Sequence, residues 1–151
     1  MMMDIRSILF PTDFSEGSVY AVPFVVDLTK RYGARLYIIN ILYDVVKTTG
    51  LHVPHGNIDE LYKDMEVTAR KECERWCAEE LRGYKEIEYD VLKGVPHEEI
   101  LKFAEEKKID LIIMGTHSRK GLERIIFGST AERVVRNAKC PVLTVGAPHK
   151  K

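Results

Sequence analysis

Five short apolar runs, at 7–10, 35–42, 86–93, 109–114 and 141–145, are kept apart by four longer stretches, most of them amphipathic. Strands held a helix-length apart cannot pair as tight hairpins. The alternation therefore predicts repeated βα units and a parallel sheet. The fourth run, Ile109-Asp110-Leu111-Ile112-Ile113-Met114, is nearly all apolar, as a central parallel strand buried on both faces must be. In the third run Ile87, Tyr89 and Val91 alternate with Glu88 and Asp90, which suits an edge strand with one wet face.

Between the runs, Ser15 stands at the N-cap position of a helix reaching Tyr32, and Gly33 stands where that helix should stop. Pro23 falls inside it and is expected to bend the axis. Residues 44–58 show no periodicity and read as a long loop. The stretch 59–81 is the clearest helix, with Leu61, Met65, Ala69, Cys73, Trp76 and Cys77 at three- and four-residue steps on one face. Pro96 opens the next helix, whose Ile100, Leu101 and Ala104 should face inward, and 130–137 forms the last. The expected architecture is α/β: one doubly wound, Rossmann-like sheet of five parallel strands, order 3-2-1-4-5, with helices on both faces. One domain spans 1–146, followed by a short tail at 147–151. Right-handed crossovers bring every β-to-α loop to one end, so chemistry is expected after Phe10, Asn40 and Met114.

Composition narrows the function classes. Of 151 residues, 23 are Lys or Arg and 23 are Asp or Glu, a balance with no long-range pull toward nucleic acid or an anionic membrane. No apolar run near the start is long enough for a leader or a membrane span, and three cysteines make no disulfide framework. A cytoplasmic location is expected. The absence of Gln leans toward a heat-adapted source. His52 and His55 with Cys73 and Cys77 resemble a zinc set in composition, but the two thiols fit the apolar stripe of their helix, so no metal site is assigned.

The most informative segment runs from Met114 to Thr130. Gly115 lets backbone approach closely right after the central strand, and Gly128-Ser129-Thr130 sets small residues, two hydroxyls and unpaired amides at a helix start. Such a terminus attracts anions, and Arg119, Lys120 and Arg124 lie nearby. Ser129-Thr130-Ala131-Glu132 also has the form of a capping box, which needs no ligand. The segment is not a Walker A loop, and no GxGxxG follows the first strand. His117 sits in the glycine loop, where it is better placed to orient a ligand than to act as a base.

Taken whole, the chain resembles the universal stress protein family. The resemblance rests on Ile8-Leu9-Phe10-Pro11-Thr12-Asp13-Phe14-Ser15, Gly94-Val95-Pro96, Asp110-Leu111-Ile112-Ile113-Met114-Gly115-Thr116-His117 and Cys140-Pro141-Val142-Leu143-Thr144-Val145. Nucleotide-binding members of that family carry glycine, two residues, glycine, nine residues, then glycine and Ser or Thr. Here the frame is Gly115, two residues, Ser118, nine residues, Gly128-Ser129, so the spacing is kept and one glycine is replaced. If the replaced position needs positive φ, Ser118 carries strain of about 1–2 kcal/mol, and binding is expected to be weakened rather than abolished.

By position, the resemblance implies that Pro11, Thr12, Asp13 and Ile41 hold adenine and ribose. Met114, Gly115, His117 and Ser118 would line the nucleotide, and Gly128, Ser129 and Thr130 would hold its phosphates. Asp13 has a second role open to it, as turn-maker and helix cap. The implied ligand is ATP, ADP or AMP, and whether Mg2+ or Mn2+ accompanies the phosphates is left open. The resemblance also implies a homodimer through the last strand (Val142, Leu143, Val145), unless the tail covers that edge. No catalytic residue is assigned, because the sequence shows no in-line base, arginine finger or carboxylate cluster, so any ATP hydrolysis should be slow. A nucleotide-free dimerisation module is the alternative. An ATP pyrophosphatase or adenylating enzyme is disfavoured, since Pro11-Thr12-Asp13-Phe14-Ser15 stands where its glycine-rich loop would be.

Overall fold

The structure, a computed structural model, describes residues 3–44, 55–116 and 128–147. The five apolar runs form β1 (Ser7–Pro11), β2 (Arg35–Tyr43), β3 (Ile87–Gly94), β4 (Leu111–Gly115) and β5 (Val142–Val145). They lie in one parallel sheet in the expected order β3-β2-β1-β4-β5, with Ile8 beside both Leu36 and Leu111, and Ile112 beside Val142. Between them run α1 (Glu16–Val19), α2 (Val22–Tyr32), α3 (His55–Glu80), α4 (Pro96–Glu106) and α5 (Ser129–Asn137).

The period-two alternation of the central strands divides the core into two layers. Ile8, Phe10, Leu36, Ile38, Leu111 and Ile113 point to one face, where Val25 of α2 and Cys73 of α3 cover them. Leu9, Ile39, Ile112 and Met114 point to the other, under Ile100 and Phe103 of α4 and Ala131 and Val134 of α5. Every side chain of the β4 run Leu111–Met114 is buried, as its sequence demanded. The exposed Glu88 and Asp90 mark β3 as an edge.

Three local expectations are corrected. The helix expected from Ser15 to Tyr32 is two helices, broken at Tyr20-Ala21. Pro23 does not bend an interior; it lies in the first turn of α2, where a missing N–H costs no hydrogen bond. Gly33 ends α2 at φ 60°, the left-handed cap its sequence predicts. Residues 55–58 open α3 instead of closing a loop, and the remainder of that expected loop from 45 lies outside the described residues. The apolar stripe of α3 is only half used: Ala69 and Cys73 are buried, while Leu61 and Met65 are 57% and 39% exposed. Twenty-six helical residues span about 39 Å, and the eight residues of β3 beneath them only about 26 Å. The first turns of α3 therefore overhang the sheet.

Finally, Gly128 takes the N-cap of α5, one residue earlier than a capping box requires, and makes no side-chain cap bond. Glu132 pairs with Arg136 instead of reaching back, at 3.0 Å.

Candidate functional site

At the C-terminal end of β1, β2 and β4 the sheet opens into a cleft of ≈ 180 Å³. Its floor comes from the ends of β1 and β4. Pro11, Thr12 and Asp13 reach it from the end of β1, and Ile41 from β2. Met114 and Gly115 reach it from the end of β4, and Gly128, Ser129 and Thr130 from the start of α5. Segments a hundred residues apart in sequence thus meet at one place. His117 and Ser118, with Arg119, Lys120 and Arg124, lie outside the described residues.

The β1 flank is closed on itself. The Thr12 amide donates to the Ile39 carbonyl at 2.9 Å, and the Asn40 side chain donates to the Thr12 carbonyl at 3.0 Å. Beyond β1 the chain turns through Phe14, whose φ of 57° is unusual for a bulky residue. Two side chains hold that turn: the Phe14 amide donates to Thr12 Oγ1 at 3.0 Å, and the Ser15 amide donates to Asp13 Oδ1 at 2.9 Å. Asp13 therefore performs the turn-making role that its sequence left open, and its exposed carboxylate also lines the cleft.

Gly115 has a reason of its own. A Cβ there would stand 2.5 Å from the Gly17 carbonyl oxygen and 3.0 Å from Ser18 Cα. The backbone that comes close after the central strand is that of α1, within the protein itself. Gly128 is likewise engaged: its amide donates to the Thr116 carbonyl at 2.7 Å, and the Thr116 amide donates to Val145 at 3.1 Å. Thr116 and Gly128 are thus tied together in one hydrogen-bonded neck beside β5.

The α5 flank differs. A helix start leaves its first N–H groups without intrahelical acceptors, and the first such bond here is Glu132 amide to Gly128 carbonyl, at 3.0 Å. The amides of Ser129, Thr130 and Ala131 face the cleft end of the helix, with two hydroxyls beside them. Their dipoles add to the helix field, so the flank suits an anion.

Sequence reasoning missed several residues of the lining: Ser18, Ile39, Pro96, Ile100, Thr116 and Ala131. Ile39, Ile100 and Ala131 read as core, and Pro96 as a helix start; nothing in their types signals a cleft. Ser18 was hidden by the expectation of one continuous helix. The thiols once weighed for zinc lie on α3, away from the cleft. A hydrogen bond from Cys73 to Cys77, with burial, pushes the Cys73 thiol up, and the same bond draws that of Cys77 down against the effect of burial. His52 lies outside the described residues.

The family model of the universal stress protein family matches residues 4–146. A universal stress protein of Methanocaldococcus jannaschii, MJ0531, is 44% identical over 149 residues, which cover 97% of this chain and 85% of that one. The structure of a second protein of that organism, MJ0577, superposes with a TM-score of 0.84 at 29% identity, covering 98% of this chain and all of the other. A universal stress protein from Archaeoglobus fulgidus in complex with dAMP shares the fold, with a TM-score of 0.64 at 22% identity over 95% of this chain and 99% of that one.

Proposed function

The chain belongs to the universal stress protein family, and we propose that it is an adenine-nucleotide-binding member, holding ATP, ADP or AMP in this cleft and acting as a regulatory dimer in the stress response. The observation that carries the reading is convergence. The ends of β1 and β4, Ile41 of β2 and the start of α5, which the family resemblance assigns to one nucleotide, line one cleft. Pro11 and Ile41 offer apolar surface to the base. Asp13 accepts from ribose hydroxyls. Ser129 and Thr130, with the open amides of the first turn of α5, take the phosphates. A related protein of the same fold is described in complex with dAMP, which fits a ligand of this class.

Asp13 is the one carboxylate among the described residues of the lining, too few to hold a pair of metal ions for phosphoryl transfer, so hydrolysis is slow at most. The dimer forms through β5, which pairs with β4 on one side and leaves its other backbone edge open among the described strands. Val142, Leu143 and Val145 on it are half-buried, their side chains dividing between the two core layers. No helix among the described residues is long and apolar enough to cross a membrane. The cytoplasm is the proposed location.

A specific observation favours the nucleotide-free module as the second reading. Gly115, one glycine of the frame, has an internal structural reason, and another position of the frame is Ser118. The test is to denature the purified protein and identify the released nucleotide by chromatography, with calorimetry of added ATP and sedimentation for the dimer. Adenine nucleotide near one per chain, or saturable ATP binding, is the expected result. A clean protein that also leaves ATP unbound would overturn the nucleotide reading and leave the dimer module.

A further inference from the structure

Ser18 is 6% exposed, sits on α1 and lines the cleft, yet no part of the reading above uses it. Its hydroxyl lies in a chain of hydrogen bonds that ties together the turn after β1. The Phe14 amide donates to Thr12 Oγ1 at 3.0 Å, and Thr12 Oγ1 donates to Ser18 Oγ at 3.0 Å. With the Ser18 oxygen receiving that proton, its own is free to go to an acceptor. The two within reach are Asp13 Oδ1 at 3.2 Å and the Ser15 carbonyl at 3.0 Å. Asp13 Oδ1 thus accepts from the Ser15 amide and also from the Ser18 hydroxyl, whose proton it shares with the Ser15 carbonyl. Among the described residues no contact engages its Oδ2. An exposed carboxylate turns freely about its last torsion; one with an oxygen held from two directions does not.

We infer that Ser18 is a positioning residue for sugar recognition, locking the Asp13 carboxylate so that Oδ2 meets the vicinal hydroxyls of a ribose and the cleft selects ribonucleotides over 2′-deoxyribonucleotides. The inference rests on the proposed nucleotide site and adds its sugar specificity. Preorganisation is the physical reason: a carboxylate already aimed loses little freedom on accepting two hydroxyl donors, whereas a mobile one loses most of the gain in ordering.

The experiment is calorimetry of ATP and 2′-deoxy-ATP against the parent and Ser18→Ala. The parent is expected to prefer ATP by about tenfold, the scale of one hydrogen bond to a charged group. Ser18→Ala should reduce that preference to about twofold or less while changing 2′-deoxy-ATP affinity by no more than about twofold. A hydroxyl that merely caps α1 would weaken both nucleotides alike and keep the ratio, and that result overturns the inference. So does a parent that binds both equally well. A parent that binds neither overturns the nucleotide reading itself, and this inference with it. Should Ser18→Ala fail to fold, Thr12→Val, close to isosteric, removes the donor that directs the Ser18 proton. It should lower the ratio by about threefold, and an unchanged ratio overturns the inference equally well.

Discussion

On the β1 flank of the cleft, the side chains of Thr12, Asp13 and Ser18 and the backbone of Ser15 direct their polar atoms at one another, while on the α5 flank Ser129, Thr130 and Ala131 hold amides that no helical carbonyl can take. Both flanks follow a strand that ends at the same edge of one sheet, and both begin a helix. They differ because α1 is a single turn, stabilised by side chains before it, whereas α5 is nine residues long and carries the field of a full helix start. One flank is built to hold its shape and the other to receive charge. A ligand with a polar, uncharged sugar and an anionic tail fits that asymmetry.

The largest test of the comparison is Gly115→Ala. The new methyl must move α1 or β4 by several tenths of an ångström, against backbone that cannot rotate away. Overpacking of this kind costs about 2–3 kcal/mol, measured by urea unfolding, and a variant as stable as the parent would show that α1 does not rest on β4. Next is Thr12→Val, which leaves the Phe14 amide without its acceptor and the buried Ser18 oxygen without its donor. The expected loss is about 1–2 kcal/mol in the same assay, with the turn at Phe14 the first region to lose hydrogen-exchange protection.

The open flank should respond with the opposite sign. Ser129→Asp puts a carboxylate at the first helical residue and is expected to stabilise the ligand-free protein by about 0.5 kcal/mol, while weakening nucleotide binding at least about tenfold by occupying the anion site. A variant that binds as well as the parent would remove α5 from the phosphate site. The smallest effect lies away from both flanks. Burial pushes the Cys140 thiol and the Tyr84 hydroxyl up, so the folded chain favours their neutral forms. Each contribution is whole below the group's ordinary range, about 8.5 for the thiol and about 10 for the phenol, and is lost as pH rises beyond it. Thermal melts from about pH 7.5 to about pH 10 should show declining stability, with a shallower decline in Cys140→Ala.

The sheet was legible because its signal is one of period and length. Leu111–Met114 is apolar without interruption and is buried on both faces; Ile87–Val91 alternates and lies at an edge. The overhang of α3 was not legible, because Leu61 and Met65 keep the helical period past the point where the sheet stops, and periodicity records a face without its extent. In the cleft, the residues at strand ends and at the start of α5 could be placed from topology and the family frame. Ser18 could not. Its role depends on the break at Tyr20-Ala21, where the chain re-enters a helix with Pro23 in its first turn, and a proline read as a bend hides that arrangement. Gly115 was legible as a close approach, but its partner, the Gly17 carbonyl, comes from a hundred residues away and leaves no local mark.

The neck between Thr116 and Gly128 bears on how such a protein can diversify. Its two ends are tied to each other at 2.7 Å and, through the Thr116 amide, to β5. Lengthening or rewriting what lies between them need not move either anchor, and each doubling of a tethered segment adds only about 0.6 kcal/mol of closure entropy. Descendants of this fold can therefore trade one intervening sequence for another while inheriting the sheet unchanged. Segments exchanged between relatives at these two residues should graft with little loss of stability and carry their own ligand preferences with them.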